Sequence, residues 1–115
     1  MALSEFEIKK CEKALEDFLQ KRRPPAHLRS EVDLAYRQDG HTIVIYELRQ
    51  NYRNKAEMIE VDIAKLTFVQ TKKVWKIFWM RQDLKWHSYQ PYPTARTIEE
   101  AVTVVENDEH ACFFG

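Results

Sequence analysis

Three groups of side chains in this sequence have types and spacings that could do chemistry. Asp83 and His87 flank Leu84-Lys85-Trp86 at what should be the end of a tight turn. A carboxylate placed there can fix an imidazole tautomer and make it a general base. The plainer expectation is that Asp83 caps the turn backbone and His87 is a partly exposed strand residue. Asp33 with Glu47-Leu48-Arg49 approximates the pattern of one acid plus Glu-x-Lys that can hold a divalent metal for nuclease chemistry. Arg stands where Lys belongs, and Asp33 should pair with Tyr46, which sets the two carboxylates on opposite faces unless a bulge intervenes. His110-Ala111-Cys112 offers two metal-ligand types, but structural zinc takes four ligands, so Cys11 and a further His would have to join it. A metal- or His/Asp-dependent hydrolase is therefore the least favoured class. No catalytic residue, metal or cofactor is assigned. Whether the protein is an enzyme stays open, leaning against. His27 and His41 fall in expected loops without a partner signal.

The fourth pattern is physical rather than catalytic. Between residues 21 and 90 there are 14 basic and 8 acidic side chains, against 3 and 5 in residues 1–20 and 1 and 5 in residues 91–115. A formal net charge of zero thus conceals segments of +6, −2 and −4. Within the basic segment Lys65, Lys76 and Lys85 alternate with Phe78, His87 and Tyr89, and Tyr46 stands on an earlier strand. Cations interleaved with rings suit single-stranded nucleic acid, since cations offset phosphates while rings stack on bases without demanding sequence. The same residues, with Val44, Leu48 and Met80, equally suit a face covered by protein, the lysines lying along its edge. The leading expectation is a non-enzymatic interaction module that forms a homodimer or binds a protein partner through this face. Single-stranded nucleic acid is the alternative.

Periodicity supplies the elements that must position these groups. Ser4-Glu5-Phe6-Glu7 is a capping box, in which the Ser4 hydroxyl accepts the Glu7 N–H and the Glu7 carboxylate reaches the Ser4 N–H. Ile8, Cys11, Leu15, Phe18 and Leu19 continue it as one apolar stripe. Lys21, Arg22 and Arg23 suit a helix C-terminus, and Pro24-Pro25 stops it, giving a helix over about 5–22. Thr97-Ile98-Glu99-Glu100 is a second capping box, opening a helix with Ile98, Ala101, Val102 and Val105 on one side. Its β-branched run is a poor helix former, so packing must hold it. In between, the period is two. Residues 31–37 and 42–48 flank an expected Asp39-Gly40 turn, with Tyr36 opposite Ile43 and Leu34 opposite Ile45. Residues 61–70, 74–81 and 85–89 form a meander. An even loop at 71–74 aligns Ala64, Leu66 and Phe68 with Trp75, Ile77 and Trp79, and a four-residue turn at 81–84 sets Trp79 opposite Trp86. All three tryptophans should then share the core. The expected fold is α+β: an N-terminal helix, a β-hairpin, a three-stranded β-meander and a C-terminal helix. The antiparallel sheet has four to five strands, with helices mainly on one face of a single domain over 1–115.

Composition closes off several classes. The chain has 115 residues, 44% hydrophobic and 31% charged, enough for a core of its own. Gly40 and Gly115 are the only glycines, so phosphate-cradling loops of the Walker or Rossmann kind are excluded. No apolar run approaches membrane-spanning length, no signal peptide is visible, and the cysteines, Cys11 and Cys112, form no framework. A cytoplasmic protein with free thiols and no membrane partner is expected.

The run Trp75-Lys76-Ile77-Phe78-Trp79-Met80-Arg81-Gln82-Asp83-Leu84-Lys85-Trp86-His87-Ser88-Tyr89 is distinctive, as are Lys21-Arg22-Arg23-Pro24-Pro25, Tyr52-Arg53 and the ending Cys112-Phe113-Phe114-Gly115. In these residues the sequence resembles a bacterial family of small stand-alone proteins catalogued only as a domain of unknown function. The resemblance runs over essentially the whole chain. It implies a compact fold and brings no activity, cofactor or catalytic residue with it.

Overall fold

A computed structural model describes residues 4–51, 53, 54, 56–109, 112 and 113. His110 of the His-Ala-Cys group, Tyr52 and the last two residues of the Cys-Phe-Phe-Gly ending lie outside the described residues. Helix α1 spans Glu5–Arg22 and α2 spans Ile98–Asn107, with a 3₁₀ turn at Ala26–Leu28. The strands are β1 Val32–Asp39, β2 Thr42–Gln50, β3 Met58–Val69, β4 Val74–Met80, β5 Trp86–Ser88 and β6 Thr94–Ala95. They form an antiparallel sheet in the order β1-β2-β3-β4-β5, with β6 also pairing β4. The α+β architecture is the expected one.

Both helices start on their capping boxes. The Ser4 hydroxyl accepts the Glu7 N–H at 3.2 Å, and the Thr97 hydroxyl accepts the Glu100 N–H at 3.1 Å. The return contacts differ from the simple box: the Glu7 carboxylate meets the Ser4 hydroxyl at 3.4 Å, and Glu100 takes the N–H of Arg96 at 2.8 Å. Cys11, Leu15 and Phe18 of α1 and Ile98, Ala101, Val102 and Val105 of α2 are buried against Ile43, Ile45, Leu66 and Ile77 of the sheet. The packing that α2 needs is thus supplied along its whole buried stripe. At their far ends the helices are joined by the Arg22 guanidinium, which donates to the carbonyl of Glu106.

The turns decide the faces. In the first hairpin Asp39 pairs with Thr42, leaving Gly40-His41 as the central pair, with Gly40 at φ +58°. Positive φ falls on the first central residue alone, the type II′ requirement, so Asp39 is spared a left-handed conformation. The register is displaced by two from the expected one: Tyr36 faces Ile45, Leu34 faces Glu47, and Asp33 faces Leu48 rather than Tyr46. A shift of two preserves every face, and Leu34, Ile43 and Ile45 are all buried. Between β2 and β3 a bulge changes the register after Ile45/Ala64 to Tyr46/Asp62, so the consecutive residues Ile63 and Ala64 are both buried. The four-residue loop 70–73 is even, and Phe68 faces Trp75, Leu66 faces Ile77 and Ala64 faces Trp79 as expected.

The β4–β5 turn corrects the expected arrangement. It has three residues, Gln82 to Leu84, closed by the Leu84 N–H to the Arg81 carbonyl (2.9 Å) and the Arg81 N–H to the Lys85 carbonyl (3.2 Å). Leu84 sits at φ +60°, where glycine is the usual occupant. An odd loop moves the register by one, so Trp79 faces His87 and Met80 faces Trp86. Trp86 therefore leaves the core face, and His87 and Tyr89 join it.

Leu84 is 80% exposed, so no packing contact offsets its backbone strain. The left-handed conformation costs an L-residue about 1–2 kcal/mol, and glycine in its place loses about 0.5–1 kcal/mol through chain entropy. Leu84→Gly should raise stability by about 0.5–1 kcal/mol and Leu84→Val should lower it. Urea midpoints at constant m-value test both.

Candidate functional site

The helices cover one face of the sheet and leave the other to solvent. Val44 is buried there at 9% exposure but lies outside the main core, shielded by its neighbours across the strands, Arg37 and Lys65. Tyr46, Leu48, Lys65, Thr67, Phe78, Met80 and Trp86 are half-buried, and Arg37 and Lys76 are exposed. One row across the strands runs Arg37, Val44, Lys65, Phe78, Ser88, each directly opposite the next.

Lys65 is the centre of this face. Its ammonium lies 4.7 Å from the Phe78 ring centroid and 5.4 Å from that of Trp86. Each contact of this kind contributes about 0.5–1 kcal/mol in a half-exposed setting and holds the cation near two aromatic surfaces. Arg37 lies 5.1 Å from the Tyr46 ring and is paired with Asp62 at 3.2 Å and Glu60 at 3.9 Å. Lys65 and Lys76 have no carboxylate partner among the described residues. Residues 64–86 hold Lys65, Lys72, Lys73, Lys76, Arg81 and Lys85 against the single acid Asp83. The open face is thus aromatic at its centre and basic along the β3–β4 hairpin, with its acids near β1 and the start of β3.

Of the residues singled out by sequence, the structure brings Tyr46, Lys65, Lys76 and Phe78 onto this face. Lys85 is exposed just after the β4–β5 turn, opposite Arg81. Tyr89 belongs to the other side, 1% exposed, with its ring 4.8 Å from Phe113. Burial chiefly, with the nearby Cys112 thiol and the acids Asp108 and Glu109, raises its phenol pKa. His87 also leaves the open face, standing opposite Trp79. Trp86 takes the place expected of these two. The signal that hides it is Leu84: a glycine there would have announced a three-residue turn, whereas Leu disguises the odd loop.

The acid–base candidates resolve into small local structures. His87 Nε2 lies 2.8 Å from Asp83 Oδ2, and Asp83 Oδ1 accepts the Lys85 N–H at 3.0 Å. The two side chains therefore meet, on a solvent-exposed turn where Asp83 serves as backbone cap, and its carboxyl is held below its ordinary range first by the His87 bond and then by the Lys85 N–H. The nuclease-like acids stay apart. Asp33 faces Leu48 and Glu47 faces Leu34, on opposite faces, and each has its own arginine: Arg23 holds Asp33 through two 2.7 Å bonds, and Arg49 lies 2.9 Å from Glu47. Among the described residues no group of three or more His, Cys, Asp or Glu could hold a metal ion. Cys11 is buried in the core, and desolvation, reinforced by Glu7, pushes its thiol up to about 11. Cys112 is half-buried, and its thiol pKa is raised mainly by desolvation. No helix among the described residues is long and apolar enough to cross a membrane.

The Arg23 hydrogen bond is the main cause that lowers the Asp33 carboxyl, aided by the Leu34 N–H against some opposing desolvation. A depressed carboxylate stabilises the fold above its unfolded value of about 3.9, and that contribution disappears as pH falls through the lower folded value. Asp33→Asn should therefore lower stability at pH 6 and give a shallower loss between about pH 4 and pH 2 than the parent, read as urea midpoints across that range.

A sequence model for DUF3024, described as a domain of unknown function, matches residues 3–115. Neither a curated protein nor a solved structure matches the chain.

Proposed function

The chain belongs to the DUF3024 family, and within that family we propose that it binds single-stranded nucleic acid through the open sheet face. The observation that carries the reading is the Lys65 ammonium between Phe78 and Trp86, on a face that neither helix covers. Rings of this kind support bases by stacking, at about 1–3 kcal/mol per base, and the adjoining cations meet the phosphates between them. Lys76 extends the basic line toward the 70–73 turn, and Thr42 and Thr67, whose hydroxyls lie 3.4 Å apart, add polar groups beside it.

Self-association through the same face is the competing reading, and charge weighs against it. Face-to-face pairing of two copies would dehydrate Lys65, Lys76 and Arg37 in both, while Glu60 and Asp62, the acids best placed to receive them, are already drawn to Arg37. A polyanion supplies the missing charge without that conflict. The interaction is non-enzymatic, with Lys65, Lys76, Phe78, Trp86 and Tyr46 forming the surface.

Fluorescence anisotropy with a labelled oligo(dT) and an oligo(U) tests this. Micromolar binding is expected at low salt. With about three phosphates neutralised, the logarithmic salt slope should be about −2. Lys76→Glu, a change at an exposed site, should weaken binding about tenfold, and Trp86→Ala should weaken it without changing the salt slope. Absence of binding at low salt, or full binding by a Lys65→Ala/Lys76→Glu double variant that remains folded, would sink the proposal. A concentration-dependent dimer in sedimentation velocity, abolished by Phe78→Ser, would favour self-association instead.

A further inference from the structure

On the helix-covered side, the N-terminal ends of α1 and α2 meet the β1–β2 and β3–β4 turns around a cavity of about 480 Å³. Its walls are of two kinds. Phe68 and Trp75, 5.2 Å apart, form an aromatic wall with the exposed Phe6 ring at the rim. Lys10, Lys73 and Arg96 bring three cations from three different parts of the chain, with His41 beside them. Among the described residues Glu7 is the one acid lining the cavity, and its carboxylate lies 3.4 Å from the Ser4 hydroxyl. The formal balance of lysines and arginine against Glu7 is +2.

None of the three cations has a carboxylate within ion-pair distance among the described residues; the Lys10 ammonium lies 6.0 Å from the Phe6 ring centroid. Three arginines elsewhere, Arg23, Arg37 and Arg49, each reach an acid, whereas Lys65 and Lys76 on the open face, like the cavity cations, do not. Lys73 is carried at φ 52°, a left-handed position that a lysine occupies only at a cost, in the turn that places it on the cavity. Convergent unpaired cations around a concave aromatic surface are complementary to one chemical class, a small organic anion with an aromatic body. The volume suits a compact molecule of that class. The Cys11 thiol lines the same cavity but stays protonated through the neutral range, so binding there is non-covalent.

We propose that this cavity is a binding site for a small aromatic anion, an aryl phosphate or aryl carboxylate, with its charged group at Lys73, Arg96 and Lys10 and its ring toward Phe68 and Trp75. The site is separate from the open sheet face and does not depend on what that face binds. Phenyl phosphate, benzoate, inorganic phosphate and benzylamine, titrated into the whole chain and followed by calorimetry and amide NMR shifts, test it. The expected result is one-to-one saturable binding of phenyl phosphate or benzoate, at least tenfold tighter than inorganic phosphate, with benzylamine silent and the shifts centred on His41, Lys73, Arg96 and Thr97. Arg96→Glu and Lys73→Glu, both at exposed positions, should each weaken binding about tenfold, while Lys76→Glu on the open face leaves it unchanged. No saturation by either aromatic anion at millimolar concentration and low salt would overturn the proposal. So would shifts centred on Lys65 and Trp86, or undiminished binding by folded Arg96→Glu and Lys73→Glu variants.

Discussion

Strand parity governs this molecule. Successive side chains of a pleated strand point to opposite faces, so a turn or bulge that adds one residue reassigns everything beyond it. Two such additions occur among the described residues. The bulge at Ile63 lets consecutive residues of β3 be buried, and beyond it Val61 and Ile59 stand opposite Glu47 and Arg49. The helices do not shield that end, where Ile59 and Val61 are 46% and 37% exposed. The three-residue turn at Gln82–Leu84 exchanges Trp86 for His87 and Tyr89, giving the core a tyrosine and the open face a tryptophan. The ring pair around Lys65 exists only because of that exchange.

The same constraint separates the two candidate sites. Trp75 and Phe68 lie on the helix side, where they complete the core and wall the anion cavity, whereas Lys76 and Phe78, each one residue from a core position, face solvent on the other side. One β-hairpin therefore feeds both surfaces. Of its four cations, Lys65, Lys72, Lys73 and Lys76, Lys73 lines the cavity, and Lys65 and Lys76 lie on the open face. A sequence carrying zero net charge thus yields two electropositive regions, because most of its acids lie on α1, on α2 with the segment after it, and at the start of β3.

Much of this was legible before any coordinates. Helix limits followed from hydroxyl caps and from Pro24-Pro25, which act locally and leave a clear imprint on residue order. Core positions followed from period, since Ile43, Ile45, Leu66 and Ile77 must share a side whatever the hairpin register. Turn length was harder to read. Asp39-Gly40 suggested one pairing, yet Gly40-His41 needs only a single positive φ and prevailed. At Leu84 the residue that usually marks a left-handed position is missing, so face assignments on β5 inverted while those on β3 and β4 stood. The cavity depends on four distant segments meeting, and no local pattern encodes such a meeting. Arg96 and Lys73, ordinary in sequence, acquire a role only through their proximity.

The outer edge of β4 has a further consequence. It is covered by two short pieces, β5 and β6, separated by the excursion Tyr89 to Pro93, with the Ile77 N–H donating to the Pro93 carbonyl. Pro91 and Pro93 offer no amide hydrogen, and the break leaves no run of free backbone donors on which a stray strand could align. That interruption guards this edge against strand addition, whereas the opposite edge of the sheet is β1, an unbroken eight-residue strand.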